Sequence, residues 1–329
     1  MVTLAVDAMG GDFGPDVTVP AVLRALSEQQ DLRVLLFGNK NTIQSLLGPR
    51  NVDRLVVRHT EQDIGMSESP AIALRTKKQS SMALMLQAVR DGDADGCVSA
   101  GNTGALMVLS RHILKTTESI DRPAIISALP REDGKHTFVL DLGANVGCDS
   151  EQLYQFAVMG QAVAQVLDDT RQPSVALLNI GSEEIKGNDQ VRAANDLLRE
   201  DTGLNYIGYV EGSDLFRAKA DVVVCDGFVG NVALKTIEGL ARYVMSEVRR
   251  EFRQNWWSRL LGLLVLPLWK KVEERINPSG YNGAAFVGLR GVVVKSHGNA
   301  DAYEFNQAIL SARQYVDKNL PQKIENLLS

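Results

Sequence analysis

Along this chain a short apolar run rich in Val, Leu and Ile repeatedly ends in a loop of Gly, Asn, Ser or Asp, and a helical pattern often follows. Leu4–Val6 leads into Asp7-Ala8-Met9-Gly10-Gly11-Asp12, and Cys97–Val98 into Ser99-Ala100-Gly101-Asn102-Thr103-Gly104. Phe138–Leu142 leads into Gly143-Ala144-Asn145-Val146-Gly147, and Val175–Leu178 into Asn179-Ile180-Gly181-Ser182-Glu183. Val222–Cys225 leads into Asp226-Gly227-Phe228-Val229-Gly230-Asn231. Continuous apolar runs bounded by turn residues suit strands buried on both faces. Their alternation with helices predicts a largely parallel sheet with right-handed crossovers, an α/β/α sandwich.

The helices are legible from their ends. Ser80-Ser81 precedes an apolar pattern through Met82, Leu84, Met85, Leu86 and Val89 that Gly92 stops. Asp149 or Ser150 is placed to cap a helix through Phe156, Val163 and Val166, and Asn231 to cap a longer one. That longer helix repeats Ile237, Leu240, Ala241, Val244, Met245, Val248 and Phe252 at helical spacing over about six turns. No low-complexity linker divides the chain, so residues 1–329 read as one elaborated α/β domain, with 232–277 a helical hairpin excursion.

Composition narrows the class. A net charge of −5 gives no sign of a nucleic-acid binder. The first twelve residues lack the basic and long apolar regions of a signal peptide. The most apolar run, Leu260 to Trp269, is interrupted by Pro267 and is half the length of about 20 residues that a membrane span needs. Three widely spaced cysteines, Cys97, Cys148 and Cys225, fit a reducing cytoplasm. A P-loop, a GxGxxG after the first strand, an HExxH, a Cys/His cluster and a GxSxG are all missing from the sequence. These absences argue against a P-loop NTPase, a dinucleotide-binding protein and a zinc site.

In open parallel sheets ligands bind beyond the carboxyl ends of strands. Glycine lets an anion approach the backbone, and helix N-termini attract phosphate. Each loop alone reads first as a tight turn between strand and helix. Five together, with Asn102, Asn145, Asn179 and Asn231, read as a crevice for a small anion.

Together with Lys186-Gly187 and Lys295-Ser296-His297-Gly298, these loops resemble, in order and from residue 1 to beyond residue 300, the PlsX family of bacterial phosphate acyltransferases. The resemblance implies a fold like phosphotransacetylases and isocitrate-type dehydrogenases. It implies transfer of a fatty acyl group from acyl carrier protein to inorganic phosphate, giving an acyl phosphate. A membrane glycerol 3-phosphate acyltransferase consumes that product in phospholipid synthesis. It also implies a homodimer associated with the inner face of the cell membrane, using no metal and no organic cofactor. The same loops would serve a short-chain phosphotransacylase using coenzyme A thioesters. A non-catalytic scaffold for carrier protein or a membrane enzyme is the reading from another class.

Phosphate attack on a thioester needs an oriented nucleophile, donors for the oxyanion and a proton or positive charge for the leaving thiolate. The phosphate cradle is assigned to Gly10, Gly11, Gly101 and Gly104, with Asn102, Asn145, Ser99 and Thr103 as polar donors and Asp7 and Asp12 either orienting a lysine or fixing the loop. Arg75, Lys77 and Lys78 read either as added positive charge or as a solvated basic turn. Lys186 is the candidate for neutralising charge, Asn231 for donating to the oxyanion and His297 for general acid/base work. Direct attack by phosphate is preferred over an acyl-enzyme on Cys148, which has no base nearby in sequence.

One stretch is unlike the rest. Trp256, Trp257, Leu260, Leu263, Leu264 and Leu266 make an apolar tip flanked by seven basic and three acidic residues between Arg249 and Arg275. That is the composition of an interfacial membrane anchor; burial in a dimer interface is its alternative.

Overall fold

The apolar runs become strands, and the polar residue that ends each run fixes where the chain turns. A computed structural model describes residues 1–252, 254, 256, 257, 265, 268, 269 and 283–328, with the side chain of Leu328 excepted. The strands are β1 (Val2–Asp7), β2 (Leu32–Gly38), β3 (Leu55–His59), β4 (Gly96–Ser99), β5 (Ala124–Pro130) and β6 (His136–Leu140). They continue as β7 (Ser174–Leu178), β8 (Asn205–Val210), β9 (Val222–Val224), β10 (Ala284–Val287) and β11 (Val292–Lys295). All lie in one 11-stranded sheet of order β3-β2-β1-β4-β11-β10-β5-β6-β9-β7-β8.

The sheet is mostly parallel, as the sequence predicts, and changes direction in the middle. β3, β2, β1, β4 and β11 run parallel to one another. Three antiparallel pairings follow, β11–β10, β10–β5 and β5–β6. β6, β9, β7 and β8 are again mutually parallel, now opposite to β1. The glycine loops therefore do not gather at one edge. Those after β1, β4 and β11 leave one edge of the sheet, and those after β6, β9 and β7 leave the other. The single crevice expected of five strand ends becomes two loop clusters, because an odd number of antiparallel pairings inverts the second half.

Both faces of the sheet are covered. Leu4, Val6, Val98, Leu140, Val224 and Val294 belong to one core; Ala5, Cys97, Val139, Val223 and Val293 belong to the other. Period-two alternation between two buried faces is why the strands read as unbroken apolar runs. The first core receives α1 (Pro15–Glu28), α2 (Lys40–Leu47), α6 (Ser150–Leu167), α7 (Asp189–Glu200), α9 (Ala302–Asp317) and α10 (Leu320–Leu328). The second receives α3 (Pro70–Thr76), α4 (Ser81–Arg90) and α5 (Thr103–Ile113) over one half of the sheet and α8 (Gly227–Glu251) over the other. Between these two groups of helices a cavity opens above β11, β10 and β5.

Helix starts follow the expected chemistry with one exception. The Ser80 hydroxyl accepts from the Ala83 N–H, and Asp149 forms a capping box with Gln152. α8 starts earlier than Asn231. Asp226 caps it, accepting from the Phe228 N–H at 2.8 Å, so Asn231 lies inside the helix. Asp226 follows β9 directly, and its carboxylate is the first acceptor that can satisfy the helix's unpaired donors.

Candidate active site

Period two places Asp7, Ser99 and Lys295 on the same face as Ala5, Cys97 and Val293. Ser99 and Lys295 are register partners, and Asp7 continues the Val6–Val98 pairing by one position. Three polar residues thus stand in one row at the ends of adjacent strands. The Ser99 hydroxyl donates to Asp7 Oδ2 at 2.7 Å and accepts from the Gly101 N–H at 3.0 Å. Asp7 Oδ1 accepts from the Met9 N–H at 3.1 Å. Burial pushes the Asp7 carboxyl up from its ordinary value, against these hydrogen bonds, which pull it down.

Gly10 and Gly101 are demanded by this packing. A Cβ on Gly10 would stand 2.6 Å from Asp7 Oδ2 and 2.7 Å from the Gly101 nitrogen. Gly11 has φ +94°, and the Asp12 N–H donates to the Gly298 carbonyl at 2.7 Å, tying the β1 loop to the β11 loop. Asn102 caps α5 through the Ala105 N–H, while its amide donates to the Met66 and Glu68 carbonyls. It pins the 65–68 loop against the helix. Gly104 packs on Pro70, and Thr103 opens α5 on the cavity wall.

The cavity, about 960 Å³, also holds Asn231, Lys295 and His297. Lys295 is buried, donating to the carbonyls of Ala100 and Ser296. Burial and the neighbouring Lys235 charge bring its ammonium down to about 8, while Asp7 and Asp12 oppose the shift. His297 Nε2 stands 3.6 Å from Glu238 Oε1, and burial lowers its value while the Glu238 charge raises it. Glu238 is buried on α8, with Lys235 at 3.1 Å and Arg242 at 3.5 Å. Sequence reasoning passed over Lys295 and Glu238. Lys295 had a signal, since a lysine closing a wholly apolar strand must aim its charge at something. Glu238 had none, because acidic residues are ordinary on a long helix.

The other cluster is built differently. Asp141 is fully buried; its Oδ1 accepts from the Ile125 and Ala144 N–H groups and its Oδ2 from the Asn145 N–H. The Asn145 amide donates to Asp141 and to the Pro123 carbonyl. This loop seats α8. A Cβ on Gly230 would come within 1.9 Å of the Asp141 carbonyl oxygen, and one on Gly227 within 2.2 Å of the Asn145 carbonyl oxygen. Gly143, at φ +121°, faces Asn231.

Lys186 is exposed on the loop after β7, and the Asn179 amide donates to its carbonyl at 3.2 Å. It does not line the cavity. Its loop emerges beside the one that starts α8, because β7 and β9 are parallel neighbours. The Cys148 thiol is buried and pushed up to about 12, chiefly by desolvation, so it is protonated at neutral pH. Arg75 ends α3; Lys77 pairs with Glu68 at 4.0 Å. Among the described residues no group of three or more His, Cys, Asp or Glu is placed to hold a metal.

Trp256 and Trp257 are exposed and stacked, with ring centroids 3.9 Å apart. Leu260, Leu263, Leu264 and Leu266 lie outside the described residues. No helix among the described residues is long and apolar enough to cross a membrane.

Comparison with known proteins agrees with the geometry. The profile of the family described as "Fatty acid synthesis protein" matches residues 2–323. A phosphate acyltransferase of Alkalilimnicola ehrlichii is 51% identical over 335 residues, covering 100% of this chain and 97% of that protein. One from Methylococcus capsulatus is 50% identical over 327 residues, covering 98% and 96%. A phosphotransacetylase from Streptococcus pyogenes shares the fold with TM-score 0.62 at 16% identity, covering 96% of this chain and 94% of that one. Isocitrate dehydrogenase from Methylococcus capsulatus is a more distant likeness of fold, with TM-score 0.50 at 11% identity, covering 98% and 88%. The chain belongs to the phosphate acyltransferase family, PlsX, and is an enzyme of the acyltransferase class.

Proposed function

We propose that the chain transfers a fatty acyl group from acyl carrier protein to inorganic phosphate, and that the acyl phosphate feeds acylation of glycerol 3-phosphate. The observation that carries this reading is the meeting of Lys295, His297, Asn231 and the N-terminus of α5 around one cavity. Phosphate binds where the first turn of α5 and the Lys295 ammonium supply positive potential. Its oxygen attacks the thioester carbonyl, and the Asn231 amide donates to the oxygen on which negative charge develops. The carbon–sulfur bond breaks as the carbonyl re-forms. The thiolate leaves with a proton relayed through His297, which Glu238 orients. Lys186 adds positive charge from the neighbouring loop.

The test is purified protein with palmitoyl carrier protein and phosphate. Phosphate-dependent release of carrier thiol and formation of acyl phosphate is the expected result. No release, or release only from coenzyme A thioesters of a few carbons, rejects the reading.

The enzyme works as a homodimer against the inner face of the cell membrane, with Trp256 and Trp257 as interfacial contacts. Exposed Phe228, Val229, Val232 and Tyr243 on α8 support a partner surface, and the exposed tryptophan pair supports the lipid contact. Wild type should sediment with anionic vesicles, and Trp256→Ser/Trp257→Ser should stay in solution with its oligomeric state unchanged. Equal sedimentation would remove the tryptophans from the contact.

A further inference from the structure

The cavity is longer and more apolar than phosphate and a carbonyl require. Alternate residues of β5, Ile125, Ser127 and Leu129, form one wall. Successive turns of α8, through Ile237, Ala241 and Val244, form the other. The two walls run side by side. The start of α8 packs on the loop after β6, beside the start of β5, and Glu238 lies level with His297 further along. Ser127 follows Ile126, which pairs with Ala285, and Ala284 pairs with Lys295, so Ser127 stands level with Lys295. The far end is closed by Phe216 and by Arg131, whose guanidinium is held by Asp133 at 2.7 Å and Asp221 at 2.8 Å.

A site with a polar head and one apolar arm fits an amphiphile whose reacting carbonyl sits at the head. We propose that the groove between β5 and α8 takes the acyl chain as an extended tail, with Ala241 and Val244 as graduations that set the usable chain length. This rests on the acyl-transfer reading above and adds where the chain goes. From Ser127 to Arg131 the groove is about 13 Å long at about 3.3 Å per residue. With carbon–carbon bonds of about 1.52 Å and angles of about 111°, an extended chain lengthens by about 1.25 Å per carbon. The groove thus holds about ten carbons beyond the head. Ala241 lies three residues past Glu238, about 4.5 Å along the helix, and Val244 six residues past it, about 9 Å. Glu238 itself stands beyond Lys295, so these distances fix the spacing of the two graduations along the tail, about four carbons apart.

The test is calorimetric binding of straight-chain alkylphosphonates of 4 to 16 carbons, which carry a phosphate-like head and cannot transfer. For wild type, affinity should rise up to about fourfold per added carbon and level off near ten to twelve carbons. Ala241→Phe should level off about four carbons earlier than Val244→Trp, and both before wild type, with the shortest phosphonate bound as in wild type. The same levelling point in all three folded proteins overturns the proposal, as does no gain with length in wild type. A change of oligomeric state in the variants with unchanged length dependence also overturns it and makes this face a contact between copies. Val244 is 43% exposed, so Val244→Trp carries the comparison even if Ala241→Phe fails to fold. Length-dependent binding without thiol release in the transfer assay would break the acyl-transfer reading and leave the groove; thiol release without length-dependent binding would break the groove alone.

Discussion

The two loop clusters look alike in sequence and are built differently. After β1, β4 and β11, glycine turns surround Asp7, Ser99 and Lys295, and the Lys295 ammonium reaches a cavity. After β6 and β9, glycine turns surround Asp141 and Asp226, whose oxygens accept nearby backbone N–H groups, and Asn145, whose amide donates to Asp141. The surface of the second cluster is apolar, with Val146, Ile180, Ile185 and Phe228 exposed. A glycine-rich strand end is thus a backbone device first. Whether it binds a ligand depends on where the neighbouring polar side chains point.

That contrast predicts a chemical role for Lys295 and a structural one for Asp141. The largest effect is expected from Lys295→Met, which should lower kcat/KM for phosphate-dependent thiol release by roughly 10³-fold or more while circular dichroism stays native. Wild-type activity in this variant would dissolve the contrast.

Asp141→Ala should act through stability. It leaves the buried N–H groups of Ile125, Ala144 and Asn145 without their acceptor, at about 1–3 kcal/mol each, so urea unfolding should shift by about 3 kcal/mol or more. A variant of unchanged stability and abolished turnover would make Asp141 chemical instead.

Lys186→Ala sharpens the comparison from the other side. If its loop reaches over the Asn231 end of the cavity during turnover, activity falls by roughly 10²-fold with no change in unfolding. An unchanged rate leaves the loop after β7 with no part in turnover.

The smallest effect is the pH dependence. Lys295 is depressed to about 8 in the fold, against about 10.4 in an unfolded chain. Below about pH 8 the fold carries a disfavoured buried ammonium. Between about 8 and 10.4 the unfolded chain holds a proton that the native state has released, so native stability rises with pH there. Lys295→Met should lack that rise, and chemical unfolding at pH 7, 8 and 9 checks it. The rate should fall above about 8 as the ammonium is lost. It should also fall in acid, below the ordinary histidine range, as His297, lowered by burial, takes a proton.

Much was settled by sequence alone. The apolar runs specified strands covered on both faces, and Ser80 and Asp149 specified helix starts. These are local matters of period and capping, and each is written within a few residues. The ordered motifs also carried the family. What only the tertiary structure decided was which ends of the strands face which way. Of the three antiparallel pairings around β10 and β5, the middle one joins residues more than a hundred positions apart, as Phe286 to Ile125. No local pattern encodes that reversal, and it separated loops that looked equivalent. The same long-range pairing set Lys295 beside Ser99 and, through α8, Glu238 beside His297. Their roles come from distances across the sheet, and a linear chain does not contain those distances until it has folded.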